Sequence, residues 1–310
     1  MASATKVTLD SHDKLVLCTL FDKEMGGVAS KYSEADIPRD LFFDEDKKII
    51  FNYKTGVMID MNLPPERYVE DANIVEAYLR IEVEAISIVD LISPTERDAL
   101  VKLQSSKSIL ETRILNDPSG KGQKYASVYN NVAQIERYLL LLFESTTLVG
   151  DTIPELEESY TAATLLNVIS LREKHITSLL YKAIELALPE QEVQSNTGLN
   201  QVTYKLSARG ARILSAAYGQ LAAVYLDRAA RFERLAAGYR AQNLAPETLK
   251  PILDIIFSAE VSASNLMNQA AFFGDEFTGL LALKVNPYAK LCGSIVKDSI
   301  VDSVNKHINQ

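Results

Sequence analysis

Residues 205–242 read KLSARGARILSAAYGQLAAVYLDRAARFERLAAGYRAQ, and this stretch decides the fold class. Apolar side chains recur at spacings of three and four residues, which predicts a long helix. One face of that helix carries Leu214, Tyr218, Leu221 and Tyr225, and further apolar residues lie beside it. A helix with such a wide apolar surface is packed between neighbours or offers a groove, so the segment predicts an assembly of several helices.

Helical periodicity extends on both sides of this stretch, from about residue 67 onward. Capping-box patterns at residues 93–96 and 152–155 predict two helix starts, each with a proline in the first turn. We predict six to eight helices, with stretches near residues 128–142, 160–188, 205–242, 246–272 and 285–308. The sequence has no 34-residue self-similarity, so a tandem tetratricopeptide array is not expected.

The first 66 residues have a different pattern. Residues 47–62, KKIIFNYKTGVMIDMN, contain two runs with high β propensity around Lys54-Thr55-Gly56, which predicts a β-hairpin. The predicted organisation is therefore an N-terminal segment (1–66) with a β-hairpin, packed on a continuous helical domain (67–310). The predicted fold class is mainly α, with helical hairpins packed in a solenoid-like array.

Composition narrows the class of function. The net charge of −9 argues against a dedicated nucleic-acid-binding protein, which normally carries a basic excess. The two cysteines, Cys18 and Cys292, are far apart in sequence, which is typical of a reducing compartment. The longest purely apolar run is Leu139 to Phe143, and the N-terminus has no signal-peptide pattern. We therefore expect a soluble, cytoplasmic protein.

No recognisable catalytic or metal-binding motif is present in the sequence. The three histidines are scattered, the cysteines form no CxxC pair, and no nucleophile or phosphate-loop motif occurs. His175 is expected to be a half-buried structural residue, and residues 118–122 (PSGKG) a solvent-exposed connector. The prediction is a non-enzymatic protein without a cofactor or a metal.

The long helix also carries a local positive charge. Residues 201–241 contain seven basic and two acidic side chains, so this stretch is positively charged although the whole chain is acidic. One interpretation is a set of surface arginines neutralised by i,i+4 pairing, such as Asp227 with Arg231. The other is a basic strip at Arg228, Arg231 and Arg234 that binds an acidic peptide, an anionic membrane or a phosphate backbone.

Several segments resemble, in order, parts of the BRO domain, the ALIX-like helical module of the ESCRT pathway. The segment KKIIFNYKTGV is similar to the strand pair of that domain, and ANIVEAYLRIEVEAISIV to the helix that follows it. Four further segments resemble the central and late helices of that domain: SVYNNVAQIERYLLLLFESTTL, TAATLLNVISLREKHITSLLYKAIE, LSAAYGQLAAVYLDRA and LKPILDIIFSAEVSASNLMNQAAFFGDEFTGLLAL. The resemblance covers about residues 40–290 and implies a boomerang-shaped helical array; the N-terminal region is shorter than in the family and the loop near 188–204 differs.

The resemblance implies a hydrophobic groove that takes an amphipathic helix of an ESCRT-III subunit. The groove side chains fall near Leu180, Leu214 and Tyr218, and Arg209 and Arg212 flank them. An acidic amphipathic helix would place its apolar face in such a groove and its carboxylates on the rim. Plain core packing is the alternative for Leu180 and Leu214.

Three hypotheses of function remain open at this point. The first is a helical adaptor that binds an acidic amphipathic helix of a partner protein, with peripheral membrane association. The second is a viral nucleocapsid or coat protein that assembles around RNA through its basic strip. The third is an enzyme with a buried pocket and no cofactor, which would need convergent polar groups in that pocket.

Overall fold

The structure is a computed structural model that describes residues 41–44, 49–52, 57–90, 96–149, 162–188, 192–193, 202–242, 246–274 and 276–289. Seven α-helices lie within these residues, which confirms the mainly α class. They are α1 (Ala72–Asp90), α2 (Glu96–Leu110), α3 (Ala126–Val149), α4 (Ala162–Ala187), α5 (Ala208–Ala241), α6 (Pro246–Phe272) and α7 (Glu276–Val285). A π-helical turn, Glu111–Leu115, follows α2, and a 3₁₀ turn, Gly122–Lys124, precedes α3.

Five short strands form one small sheet. They are β1 (Leu41–Asp44), β2 (Ile49–Asn52), β3 (Val57–Asp60), β4 (Glu192–Val193) and β5 (Val202–Leu206), in the spatial order β1-β2-β3-β5-β4. The predicted hairpin is confirmed, because β2 and β3 pair antiparallel with Asn52 opposite Val57. Strand β5 pairs parallel with β3 and antiparallel with β4.

Strands β4 and β5 were not predicted from the sequence. They lie in the polar region between α4 and α5, which the sequence indicates as a loop. Their backbone hydrogen bonds connect this region to the N-terminal segment, through Val57 opposite Tyr204. The sheet therefore combines strands from both parts of the predicted division at residue 66.

Each helix packs on the next one in sequence, from α1 to α7, and α3 also contacts α5. Helices α4 and α5 are antiparallel. Glu173 in the first half of α4 pairs with Arg228 in the second half of α5, and Ala187 at the end of α4 lies next to Gly210 at the start of α5. The pairs α5–α6 and α6–α7 are antiparallel as well: Ser215 donates to the Ala270 carbonyl, and Ser264 to the Ala282 carbonyl. The chain is thus a series of helical hairpins, as its periodicity predicts.

The hydrophobic core has two large clusters. The first lies between α4 and α5 and contains the fully buried Leu180, Leu214 and Leu221. The second joins α1, α2 and α3 around Leu110 and Tyr125. The expected groove residues Leu180 and Leu214 are therefore core residues, because they point into the α4–α5 contact; their assignment to an open groove is wrong.

Some of the predicted helix ends lie within the described residues, and others do not. Helix α6 begins at Pro246, as expected, and Gly274 after its end has a φ of +122°. Residues 93–95 and 152–155, where two helix starts are predicted, lie outside the described residues. Of the last predicted helix, near 285–308, residues 285–289 are described: Val285 ends α7, Asn286 is not helical, and residues 287–289 are helical.

Candidate functional site

Tyr218 is partly exposed to solvent, whereas Leu180 and Leu214, which were predicted to line the same groove, are fully buried. It lies on α5, and its ring stacks on Phe273 with 5.8 Å between centroids and an interplanar angle of 5°. Burial, and then the nearby hydroxyls of Tyr204 and Tyr181, raise the pKa of Tyr218. This residue therefore connects the core to a surface formed by the aromatic side chains of α4 and α5.

Arg209 is placed in the interior, at the start of α5. Its Nε donates to Glu66 at 3.1 Å, and one Nη donates to Glu82 at 2.9 Å and to the hydroxyl of Tyr125 at 2.6 Å. The Tyr125 hydroxyl donates to Glu82 at 2.8 Å. We call these four residues the arginine hub; it ties α5 to α1, to the segment before α1 and to the residue before α3.

The hub also accepts hydrogen bonds from the first two turns of α3. Glu66 accepts the backbone N–H of Ala126, the first residue of α3, at 3.0 Å, and Asn131 donates to Glu82 at 2.8 Å. A carboxylate at the N-terminus of a helix satisfies a free N–H and interacts favourably with the helix dipole. Glu66 thus acts as a capping residue that is distant in sequence from the helix it caps.

Burial dominates the electrostatics of the hub, because the side chains of Glu66 and Glu82 are 2% and 4% exposed. Burial raises the pKa of Glu66 to about 6, against the opposing effect of Arg209. Burial alone would lower the pKa of Arg209, but the charge of Glu82, followed by those of Tyr125 and Glu66, raises it above its ordinary value. Arg209 is thus held as a cation by internal carboxylates, and its assignment to the rim of a partner groove is wrong.

The predicted basic strip is also paired internally. Arg228 donates to Glu173 of α4 at 2.8 Å, and Arg231 bridges Glu173, at 2.9 Å, and Glu144 of α3. Arg234 lies 3.7 Å from Glu144 and remains largely exposed. Burial raises the pKa of Glu144, although Arg231 opposes that change.

These ion pairs correct the prediction of a free basic strip. Arg228 and Arg231 neutralise carboxylates of α3 and α4, because α5 packs between those two helices. The predicted i,i+4 pairing of Asp227 is replaced by a fork with Arg137 of α3, at 2.7 and 3.3 Å. Arg212 is exposed, and its Nε donates to the Ala208 carbonyl of its own helix at 3.4 Å.

A different surface combines exposed apolar and basic side chains. We call it the α4 outer face, and it consists of Leu171, Lys174, His175, Ser178, Tyr181, Lys182 and Glu185. Leu171 is 57% exposed and Tyr181 is 54% exposed, whereas the opposite side of α4 is buried. His175, expected to be half-buried, is exposed here because it lies on the side of α4 opposite Ile176 and Leu180.

The α4 outer face borders a shallow groove of about 470 Å³. The groove is lined by Tyr129, Ser178, Leu179, Tyr181, Lys182 and Glu185. Tyr129 belongs to α3, so the groove runs between α3 and α4. Burial raises the pKa of Tyr129, and the charge of Lys182 opposes this effect.

Aromatic side chains of α5 lie beside the same face. Burial, and then the hydroxyl of Tyr225, raise the pKa of Tyr181. Arg228 lies over the Tyr225 ring, 5.1 Å from its centroid. Tyr218 and Tyr225 of α5 are half-buried, whereas Tyr181 of α4 is exposed.

The sequence contains a signal for this surface. The inner stripe of α4 is complete with Ile169, Ile176, Leu180, Ala183 and Ala187. Leu171 and Tyr181 fall outside that stripe, and apolar residues off the core stripe of an amphipathic helix are expected to be exposed. The binding surface was predicted on α5 instead, because α5 carries most of the local positive charge in the sequence.

The described residues offer little support for a metal site or a membrane span. Within them, no cluster of His, Cys, Asp and Glu is arranged to hold a metal ion. None of the described helices has a stretch that is long and apolar enough to cross a membrane. No protein-family model, curated protein or solved structure matches the chain significantly.

Proposed function

We propose that this protein is a non-enzymatic helical adaptor that binds an amphipathic helix of a partner protein on the α4 outer face. The observation that carries this proposal is the coincidence of exposed apolar side chains, a shallow groove and basic residues on one helix. The proposed partner is acidic, as in the ESCRT-III subunits that the resemblance to BRO domains implies. Cytoplasmic location and peripheral membrane association are parts of the same proposal.

The spacing on α4 suits a helical partner. Leu171, Ser178 and Tyr181 recur at helical intervals, so they present a seam along about three turns of α4. An amphipathic helix binds such a seam through apolar anchors at positions i, i+3, i+4 and i+7. Exposed tyrosine supplies a large, rigid contact area, which is typical of residues that dominate binding energy.

The charge on α4 favours an acidic partner. Arg172, Lys174 and Lys182 lie on or beside the outer face, and Lys182 pairs there with the exposed Glu185 at 3.0 Å. This local positive charge contrasts with the net charge of −9 of the whole chain. Complementary charges accelerate association and fix the orientation of a partner more than they add affinity.

The nucleocapsid hypothesis has no such observation in its favour. It depended on a free basic strip, and Arg228 and Arg231 are engaged with Glu173 and Glu144. Arg234 shares Glu144 with Arg231, although its side chain reaches solvent. We therefore retain one proposed function, the helical adaptor.

The proposal is tested with a fluorescein-labelled synthetic peptide that forms an acidic amphipathic helix with leucine anchors. We expect Tyr181→Ala to weaken binding by about thirtyfold, as loss of a binding hot spot would, in fluorescence anisotropy. Lys182→Glu should weaken it in a salt-sensitive way. Val101→Ala is the matched control, because Val101 is equally exposed on α2, far from the groove in sequence.

Capture from a cytosolic extract identifies the natural partner. Mass spectrometry should recover an ESCRT-III subunit with the wild-type protein and lose it with Tyr181→Ala. Equal binding of the peptide by the wild type, Tyr181→Ala and Val101→Ala would show that the α4 outer face is not the docking surface.

A further inference from the structure

Three consecutive residues, Pro65, Glu66 and Arg67, each bond to a different helix end. The Pro65 carbonyl accepts the hydroxyl of Ser207, the N-cap residue of α5, at 3.1 Å. Arg67 donates through one Nη to the carbonyl of Leu188, the residue directly after α4, at 2.5 Å. Glu66 accepts the N–H of the first residue of α3. We call these three residues the clasp, because they join the ends of α3, α4 and α5.

The charges of the clasp suit the helix ends that they meet. The N-terminus of a helix carries a partial positive charge, and its C-terminus carries a partial negative charge. Glu66 lies at the N-terminus of α3 and Arg67 at the C-terminus of α4, so each side chain meets the complementary end. Leu188 continues α4 through its N–H bond to the Ile184 carbonyl, and Arg67 donates to one of the last carbonyls of that helix.

The chain is anchored on both sides of the clasp. Before it, Asp60 accepts the backbone N–H of Asn62 at 2.8 Å and pairs with Lys205 of β5 at 3.2 Å. After it, Val69 is 2% exposed and belongs to the core cluster of α1, α2 and α3. A functional site is held precisely when its supporting residues are themselves fixed by packing and hydrogen bonds. The clasp has such support from the sheet and from the core.

The groove beside the α4 outer face lies at the same end of α3 and α4. Tyr129 lines it from α3, about one helical turn after Ala126, whose N–H bonds to Glu66. Lys182 lines it from α4, less than two helical turns before Leu188. The separation of two helices sets the width of a groove between them. The contacts that hold this end of α3 and α4 therefore determine the shape of the groove.

We propose that Glu66 and Arg67 are positioning residues for the partner helix, because they hold the start of α3 and the end of α4 at the separation that the groove requires. This inference rests on the proposed adaptor function and adds residues that do not line the groove themselves. Their effect on binding is indirect, through Tyr129 and the last turns of α4. Without the clasp, a smaller fraction of molecules presents a formed groove.

Arg67→Met tests the proposal with the same labelled acidic peptide. Methionine keeps the length and flexibility of the side chain but donates no hydrogen bond to Leu188. We expect the dissociation constant to rise about tenfold, because its apparent value increases in inverse proportion to the fraction of molecules with a formed groove. Arg67→Lys keeps a cation and a donor, so it should stay within about threefold of the wild type. Arg113→Met is the matched control, because Arg113 is exposed and pairs with Glu84 of α1.

A distance measurement reports on the two helix ends without a partner. Nitroxide labels are placed at Gln123→Cys, before α3, and at Glu185→Cys, near the end of α4, with both native cysteines replaced by serine. These two positions are exposed, so the labels leave the core intact. In electron paramagnetic resonance the distribution of distances should broaden in Arg67→Met and stay unchanged in Arg113→Met.

The outcomes separate this inference from the proposed function. No binding of the peptide by the wild type would refute the adaptor function and this inference together. Wild-type binding that Arg67→Met retains in full would overturn the inference alone. Circular dichroism ensures that only folded variants are compared. If Arg67→Met unfolds more easily in urea but keeps its affinity and its label distances, the role of Arg67 is purely structural and the proposal is wrong.

Discussion

Replacement of Arg209 by methionine is the sharpest test of the arginine hub. Methionine is similar in length and flexible, so Arg209→Met removes the guanidinium without leaving a large cavity. The carboxylates of Glu66 and Glu82 then remain buried without a cation, since they are 2% and 4% exposed. Loss of one partner from a buried ion pair costs about 3–5 kcal/mol, which is a large part of the stability of a typical domain.

Urea unfolding followed by far-UV circular dichroism measures this cost. Arg212→Met is the matched control, because Arg212 is exposed on the same helix and bonds to its own helix; it should change the free energy of unfolding by less than about 0.5 kcal/mol. A cost below about 1 kcal/mol for Arg209→Met would refute the hub, since that is the range of surface ion pairs.

The pH dependence of the same variant gives a second criterion. Without Arg209 the pKa of Glu66 should rise further above its ordinary value, because the charge that opposes its desolvation is lost. The Glu66 carboxyl would then become neutral in mildly acidic solution, and the cost of the substitution should decrease as the pH falls. A cost that is constant between neutral and mildly acidic pH would contradict this account.

Two further predictions concern single positions. Burial raises the pKa of Glu66 from 4.5 to about 6, so its contribution to stability is complete below pH 4.5 and is lost as the pH rises through 6. Relative to Glu66→Gln, the wild type should therefore lose up to about 2 kcal/mol between these limits in a pH series of urea unfolding, and a constant difference would contradict the shift. Gly122→Ala should destabilise by about 1–3 kcal/mol, because its Cβ would lie 1.7 Å from the Ile114 carbonyl oxygen. Gly238→Ala, where the Cβ meets no atom within 4 Å, should be neutral or stabilise by up to about 1 kcal/mol in the same assay, and equal effects of the two would refute the steric argument.

Local patterns predicted α4, α5 and α6 well, whereas α7 was not predicted. The boundaries of α4 and α5 fall within a few residues of the predicted stretches, because amphipathic periodicity and capping signals act over one or two turns. The β2–β3 hairpin was equally predictable from its β-rich runs. Strand β5 was missed because its stability depends on pairing with β3, which is distant in sequence.

The roles of the arginines could not be predicted, for the same reason. Arg209 reaches partners that are 143 and 127 residues away in sequence, and no local spacing encodes such a contact. Local reasoning paired Asp227 with Arg231, whereas Asp227 bonds to Arg137 of α3. The assignment of Leu180 and Leu214 to a groove was wrong, because an amphipathic stripe in the sequence does not distinguish a core face from a docking face.

The internal pairing of α5 has a physical consequence for where a partner binds. Much of the surface of α5 toward its neighbours consists of alanine and glycine, such as Ala217 and Ala222, and such small side chains permit helices to slide. Ion pairs at the start of α5, through Arg209, and in its second half, through Arg231, join it to α1, α3 and α4. A partner that recruited either arginine would have to break a buried pair at a cost of about 3–5 kcal/mol, comparable to a large part of a micromolar binding energy. On α4, Lys182 pairs with the exposed Glu185 at 3.0 Å, and an exposed ion pair costs only about 0–1 kcal/mol to break. The proposed binding on the α4 outer face would therefore carry no such cost.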